Sequence, residues 1–341
     1  MAESPLRPPT MADVALLAGV SHQTVSRVVG DHPNVRDKTR TRVRRAIEEL
    51  GYRRNFSARA LATRRTRTLG VVASDTTLYG PASTLFALEE AARAKGYLVS
   101  AVSLRRLTVD TLAEALDHLS EGGVEGVVAV APHRSAVAAL AELRHPFPVV
   151  TVSSGEARGI PSVTVDQGLG ARLATGHLLA AGHRTVWHVA GSDGWLEAED
   201  RAAGWRATLE SAGIEPPPPL SGDWSPRSGY RAGRELAERA GRGLTAVFVA
   251  NDQMALGVLR ALREAGLRTP EDVAVAGFDD SPESEFFSPP LTTVRQDFSA
   301  VGKRSVALLL DRIEGREPAV TPRTVIAPQL VVRASTLPLP P

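Results

Sequence analysis

The chain has 341 residues, 43% of them hydrophobic, too long for one small core, so two or three domains are expected. It has no cysteine, which excludes disulfides, cysteine-based zinc sites and thiol catalysis. The formal net charge of +2 hides an asymmetry. Residues 1–68 hold 14 basic against 6 acidic side chains, a net of +8, and the remainder holds 26 against 32, a net of −6. A basic head on an acidic body is the footprint of nucleic-acid binding.

In chain order, residues 1–9 read as a disordered, Pro-rich leader with no apolar signal region, and no run of about 18 apolar residues follows anywhere. A cytoplasmic protein without membrane contact is therefore expected, associated with the nucleoid when bound to DNA. Three helices are predicted over 11–18, 21–29 and 37–50. Ala15 allows close helix approach, Gly19 takes the left-handed conformation that ends a helix, and Ser21 caps the next. Val14, Leu17, Val20, Val25 and Val28 fit an inward face. His22, Gln23, Ser26 and Arg27 are left outside. A helix-turn-helix presents the N-terminal half of its second helix to the major groove, where such residues read bases. Residues 10–54 are therefore assigned to a DNA-binding domain. Asn55–Ala62 fits a short further helix with Asn55 as cap, inside a linker over 55–66.

From residue 67 to 341 an α/β alternation is predicted. Apolar strand-like runs fall at 68–73, 97–102, 126–130, 148–152, 163–165, 185–189, 246–249 and 273–276. Amphipathic helices at 81–95, 111–121, 168–181, 199–212, 228–240, 253–265 and 299–314 lie between most of them. Such alternation specifies parallel sheets with right-handed crossovers, and the length allows two such lobes. Ala250-Asn251-Asp252 and Phe278-Asp279-Asp280 each follow a strand, at the carboxyl ends where open sheets bind ligands. Asn251 is expected to face ligand and Asp252 to cap the helix that follows. His183 lies at a helix-to-strand turn with no second ligand at metal spacing, so a structural role is expected and no metal or cofactor is assigned.

These words together resemble the lac/gal repressor family of bacterial transcription regulators, from Thr10 to about Val332. The resemblance runs through Gly19-Val20-Ser21, Thr24-Val25-Ser26-Arg27-Val28, Glu49-Leu50-Gly51-Tyr52, Asn55 and Leu61. It continues through Gly182-His183, Gly204-Trp205, Ala250–Gly257, Gly277–Asp280 and Pro290–Val294. His22 stands where a family member with a nearly identical reading helix has tyrosine. The resemblance implies an all-α helix-turn-helix headpiece on an α/β, periplasmic-binding-protein-like body of two parallel-sheet lobes. It further implies a homodimer that holds two headpieces over double-stranded palindromic operator DNA.

In that frame His22, Gln23 and Arg27 read bases, Arg gripping guanine and Gln adenine bidentately. Ser21, Ser26, Asn34 and Thr39 are placed for phosphates, or serve only as caps. Asn55–Ala62 becomes a hinge helix too short to be stable alone, with Arg59 along the minor groove and Leu61 as the wedge that kinks it. The chain is expected to cross between lobes near 165, 294 and 326. Ser74, Arg201, Asn251 and Asp279 are the implied effector-binding polar residues, with Trp224 or Phe298 for stacking. Glu156, Tyr79 and Arg106 are weaker candidates. A mono- or disaccharide inducer is expected, with a purine-like corepressor as the alternative.

Two rival classes fit less well. No Walker motif, dinucleotide fingerprint or Gly-x-Ser-x-Gly elbow is present, which argues against an enzyme. A sugar-binding transport component is disfavoured by the lack of an apolar signal region and by the helix-turn-helix.

Overall fold

The computed structural model describes residues 9–52, 65–105, 107–157, 159–240, 243–316 and 323–336, and divides the chain into two units, Met1–Thr66 and Arg67–Pro341. In the first unit, α1 (Met11–Ala18) starts at Thr10, which forms a capping box with Asp13, and stops at Gly19 with φ 59°. Helix α2 (His22–Val29) is capped by the Ser21 hydroxyl, which accepts from the Thr24 amide at 3.2 Å. Helix α3 (Asp37–Leu50) ends at Gly51, also left-handed at φ 61°. Val14, Ala15, Ala18, Val25, Val28, Val43, Ala46 and Tyr52 close a small core. Leu17, expected inward, is 46% exposed. Ala15 and Ala18 fill the inward stripe beside Val14, and Leu17 is rotated to its edge. The predicted hinge helix, with Asn55, Arg59 and Leu61, lies outside the described residues, as do the leader through Pro8 and Arg106.

The second unit is built as two lobes. Lobe 1 carries β1 (Thr68–Ser74), α4 (Tyr79–Ala94), β2 (Leu98–Leu104), α5 (Val109–Glu121), β3 (Gly126–Val130), α6 (Arg134–Glu142), β4 (Val149–Val152) and β5 (Ser162–Val165). Lobe 2 follows with α7 (Gln167–Ala180), β6 (Trp187–Val189), α8 (Leu196–Ser211), α9 (Pro226–Ala237), β7 (Ala246–Val249), α10 (Asp252–Glu264), β8 (Ala274–Ala276) and β9 (Thr293–Arg295). The chain then returns to lobe 1 for α11 (Phe298–Ile313) and β10 (Arg323–Ile326), and ends in lobe 2 with β11 (Gln329–Val331).

The lobe 1 sheet is parallel throughout in the order β10-β5-β4-β3-β1-β2, and lobe 2 has a parallel core β6-β7-β8. Strand β1 buries every residue after Thr68, as a strand covered by helices on both faces must. Two apolar clusters flank each sheet. The lobes are joined after β5, after β9 and after β10. Strands β9 and β11 form an antiparallel ribbon at two of these crossings, which a reading of parallel sheets alone did not include. No helix among the described residues is long and apolar enough to cross a membrane.

Candidate reading helix and effector cleft

On α2, Val25 and Val28 point into the core, which turns His22, Gln23, Ser26 and Arg27 to solvent. All four are exposed on one short helix. Ser21 is exposed too, but its hydroxyl is engaged by the Thr24 amide and hydroxyl as a cap. Asn34 is exposed and Thr39 half-buried at the start of α3. Nearby arginines are tied down: Arg40 and Arg44 each lie 3.3 Å from Asp31, and Arg42 donates to the Gly19 carbonyl. Arg27 has no such partner among the described residues, which leaves its planar fork available.

Between the lobes lies a cleft of about 710 Å³ including its open mouth. Arg201, Trp224, Asn251, Asp279 and Phe298 all line it. Ser74 does not. It ends β1 fully buried, like every residue of that strand after Thr68, with a hydroxyl that meets no partner among the described residues. Tyr79 lines the cleft edge-on to Phe298, with ring centroids 5.9 Å apart. Glu156 lies outside it, paired with Arg323 at 2.6 Å.

The floor is a closed ring of four polar side chains. Arg201 Nε donates to Gln167 Oε1 (2.8 Å), Gln167 Nε2 to Gln296 Oε1 (2.9 Å), and Gln296 Nε2 to Asp279 Oδ1 (2.7 Å). Asp279 Oδ1 closes the ring 3.7 Å from Arg201 Nη2. Arg201 also donates to the Ala250 carbonyl and lies flat on Phe278, 3.8 Å from the ring centre. Burial pushes the Asp279 carboxyl up to about 6, although Arg201 and Gln296 favour its charged form. Asp279 adopts φ 116° and Trp224 φ 70°, a backbone region that non-glycine residues seldom take.

Asn251 lines the cleft as expected, but it also takes the capping role expected of Asp252. Asn251 caps α10 through the Met254 amide (2.9 Å) and donates to the Trp224 carbonyl (3.2 Å), so both ends of its amide are engaged in the wall. Asp252 is buried behind it, accepting from the Thr293 hydroxyl (2.5 Å) and the Ser281 amide (2.8 Å). Burial holds its carboxyl well above the usual range. It fastens the loop that carries Asp279 to α10.

Sequence reasoning missed Gln167, Gln296, Trp195 and Glu197 on the cleft wall. The two glutamines each follow a strand end, β5 and β9, the same signal that singled out Asn251 and Asp279. Glu197 lies in the first turn of α8, and burial pushes its carboxyl up to about 7.

The models of two families match this chain: bacterial regulatory proteins of the lacI family over residues 10–55, and the periplasmic binding protein-like domain over 175–336. The lactose operon repressor of Escherichia coli is 36% identical over 334 residues, covering 97% of this chain and 92% of that protein. The chain belongs to the lacI family of bacterial regulatory proteins. The HTH-type transcriptional regulator CelR of Thermobifida fusca is 38% identical over 344 residues, 96% of this chain and 98% of that protein. The HTH-type transcriptional repressor PurR of Haemophilus influenzae is 30% identical over 331 residues, 96% of this chain and 98% of that protein. A lac repressor dimer bound to operator and the anti-inducer ONPF superposes with TM-score 0.84 at 36% identity, covering 97% of this chain and all of that one. A complex of the regulator CelR with cellobiose superposes with TM-score 0.70 at 34% identity, covering 96% and 99%. This lacI-family chain is thus a helix-turn-helix transcription regulator with a periplasmic-binding-like body.

Proposed function

We propose that the protein is a repressor, not an enzyme, which acts in the cytoplasm as a homodimer on a palindromic operator and is released by a free mono- or disaccharide. The cleft carries this reading. A ring of planar polar side chains between two aromatic walls, Trp224 and Phe298, supplies donors and acceptors for hydroxyls and apolar faces for a sugar ring. His22, Gln23 and Arg27 read each half-site, and Ser21, Ser26, Asn34 and Thr39 position the headpiece on phosphates. Asn55, Arg59 and Leu61 form the hinge, with Leu61 opening the central minor groove. Phe86 and Leu98 on lobe 1 and Leu256 and Phe286 on lobe 2 are exposed apolar side chains that a second copy would cover.

The test selects bound sequences from a randomised duplex pool, then challenges the complex with panels of sugars and of purines. An enriched palindrome released by a sugar is the expected result. Arg27→Ala should lose the preference for that palindrome while retaining weak, salt-sensitive binding to any duplex. Enrichment that needs guanine or hypoxanthine would replace the inducer by a corepressor.

A further inference from the structure

Three charged side chains line the cleft among the described residues: Glu197, Arg201 and Asp279. Arg201 and Asp279 are committed to each other and to the polar ring. Glu197 remains. Its Oε2 is closed off from solvent and accepts no hydrogen bond from the described residues. The indole N–H of Trp224, which also lines the cleft, is likewise enclosed and unpartnered. The Glu197 carboxyl is held by backbone N–H groups of Ser154 and of its own residue, so the cleft keeps one acceptor oxygen and one neutral donor without partners, and no unpaired base.

Helix N-termini, the other source of positive potential, are largely occupied. Asp166, Asn251 and Asp297 cap α7, α10 and α11 with their own side chains. The first turn of α8 contains Glu197 itself together with Glu199. Helix α4 starts at the cleft without a side-chain cap, and Pro81 removes one of its first-turn N–H groups, which leaves those of Tyr79 and Gly80. A phosphate would bring close to two negative charges into a space where the one guanidinium is already paired. A hydroxyl, by contrast, can donate to Glu197, and an amine can both donate and neutralise it.

We propose that Glu197 is a specificity residue that admits neutral and aminated sugars to the cleft and rejects sugar phosphates and sugar acids. This rests on reading the cleft as a sugar site. The experiment measures binding of glucose, cellobiose, lactose and glucosamine, and of glucose 6-phosphate, lactose 6-phosphate and glucuronate, to the full-length protein by calorimetry at pH 8. It is repeated with Glu197→Gln and, should that variant not show a cooperative melting transition, with Glu197→Ala. The expected result is that a neutral or aminated sugar binds at least tenfold more tightly than its phosphate or acid, and that loss of the carboxylate shrinks this ratio tenfold or more. An anionic sugar that binds the wild type as tightly as its neutral parent overturns the proposal and leaves the sugar reading standing. So does a ratio unchanged by the substitutions. If no sugar binds and guanine or hypoxanthine does, the sugar reading falls and this proposal falls with it.

Discussion

Individual carboxyls give the cleft its sensitivity to pH. Burial raises Glu197 from its ordinary 4.5 to about 7 and Asp279 from 3.8 to about 6. A carboxyl held above its unfolded value favours the folded state while protonated, so its contribution is fully present below the unfolded pKa. It is lost as pH rises through the folded value. For Glu197 that window runs from about pH 4.5 to 7, with a loss of up to about 3 kcal/mol. The melting temperature of Glu197→Gln should therefore gain on the wild type as pH rises from 5 to 8, and parallel curves would contradict the assignment. Legibility at this scale was uneven. Arg201, Trp224, Asn251, Asp279 and Phe298 were singled out by strand-end position or resemblance, and all five line one cleft. Glu197 was missed because nothing in a helix's first turn marks a carboxylate that faces inward. The cap was assigned to Asp252 instead of Asn251 because cap and buried staple look alike in a dipeptide, and only the partners Met254, Thr293 and Ser281 distinguish them.

Elements of ordinary length were read from periodicity almost to their ends. The headpiece helices expected at 11–18, 21–29 and 37–50 stand at Met11–Ala18, His22–Val29 and Asp37–Leu50, since Gly19, Ser21 and Gly51 fix their limits locally. Helix α6 escaped notice because its Ala-rich stretch has little polar contrast. Strands β9, β10 and β11 escaped because they are short and partly exposed, without the continuous apolar run that marks the equally short β5, β7 and β8. Their pairing is set by distant partners, such as Leu330 against Val294. Helix-to-helix contact in lobe 2 depends on a feature that periodicity also hides. A Cβ on Gly257 of α10 would fall 2.0 Å from the Pro226 carbonyl oxygen of α9, and one on Gly229 would fall 2.0 Å from the Met254 carbonyl oxygen. Backbone cannot yield there as a side-chain tip would. Gly257→Ala should cost about 1–3 kcal/mol or more and lower the melting temperature, whereas the same change at Gly176, where a Cβ meets nothing within 4 Å, should not. Equal melting temperatures for the two variants would show that α9 and α10 are not in this close contact.

The whole chain joins a basic unit with an outward-facing reading helix to an acidic body with a cleft between hinged lobes. The three crossings after β5, β9 and β10 are the points about which the lobes can change their arrangement, and Gln167 and Gln296 of the polar ring stand beside two of them. A ligand that bridges the ring and the lobe 1 wall has a reason to prefer one arrangement over another. Without such a preference it would shift nothing, however tightly it bound. With it, effector and DNA must weaken each other by one common factor, typically about 5- to 150-fold, or roughly 1–3 kcal/mol. The most direct measurement closes that cycle with the selected palindrome and the sugar that releases it. Duplex affinity is measured with and without saturating sugar, and sugar affinity with and without saturating duplex, at one salt concentration. The account predicts that both affinities fall by the same factor, well above one. Duplex affinity that is indifferent to every sugar bound in the cleft would contradict it.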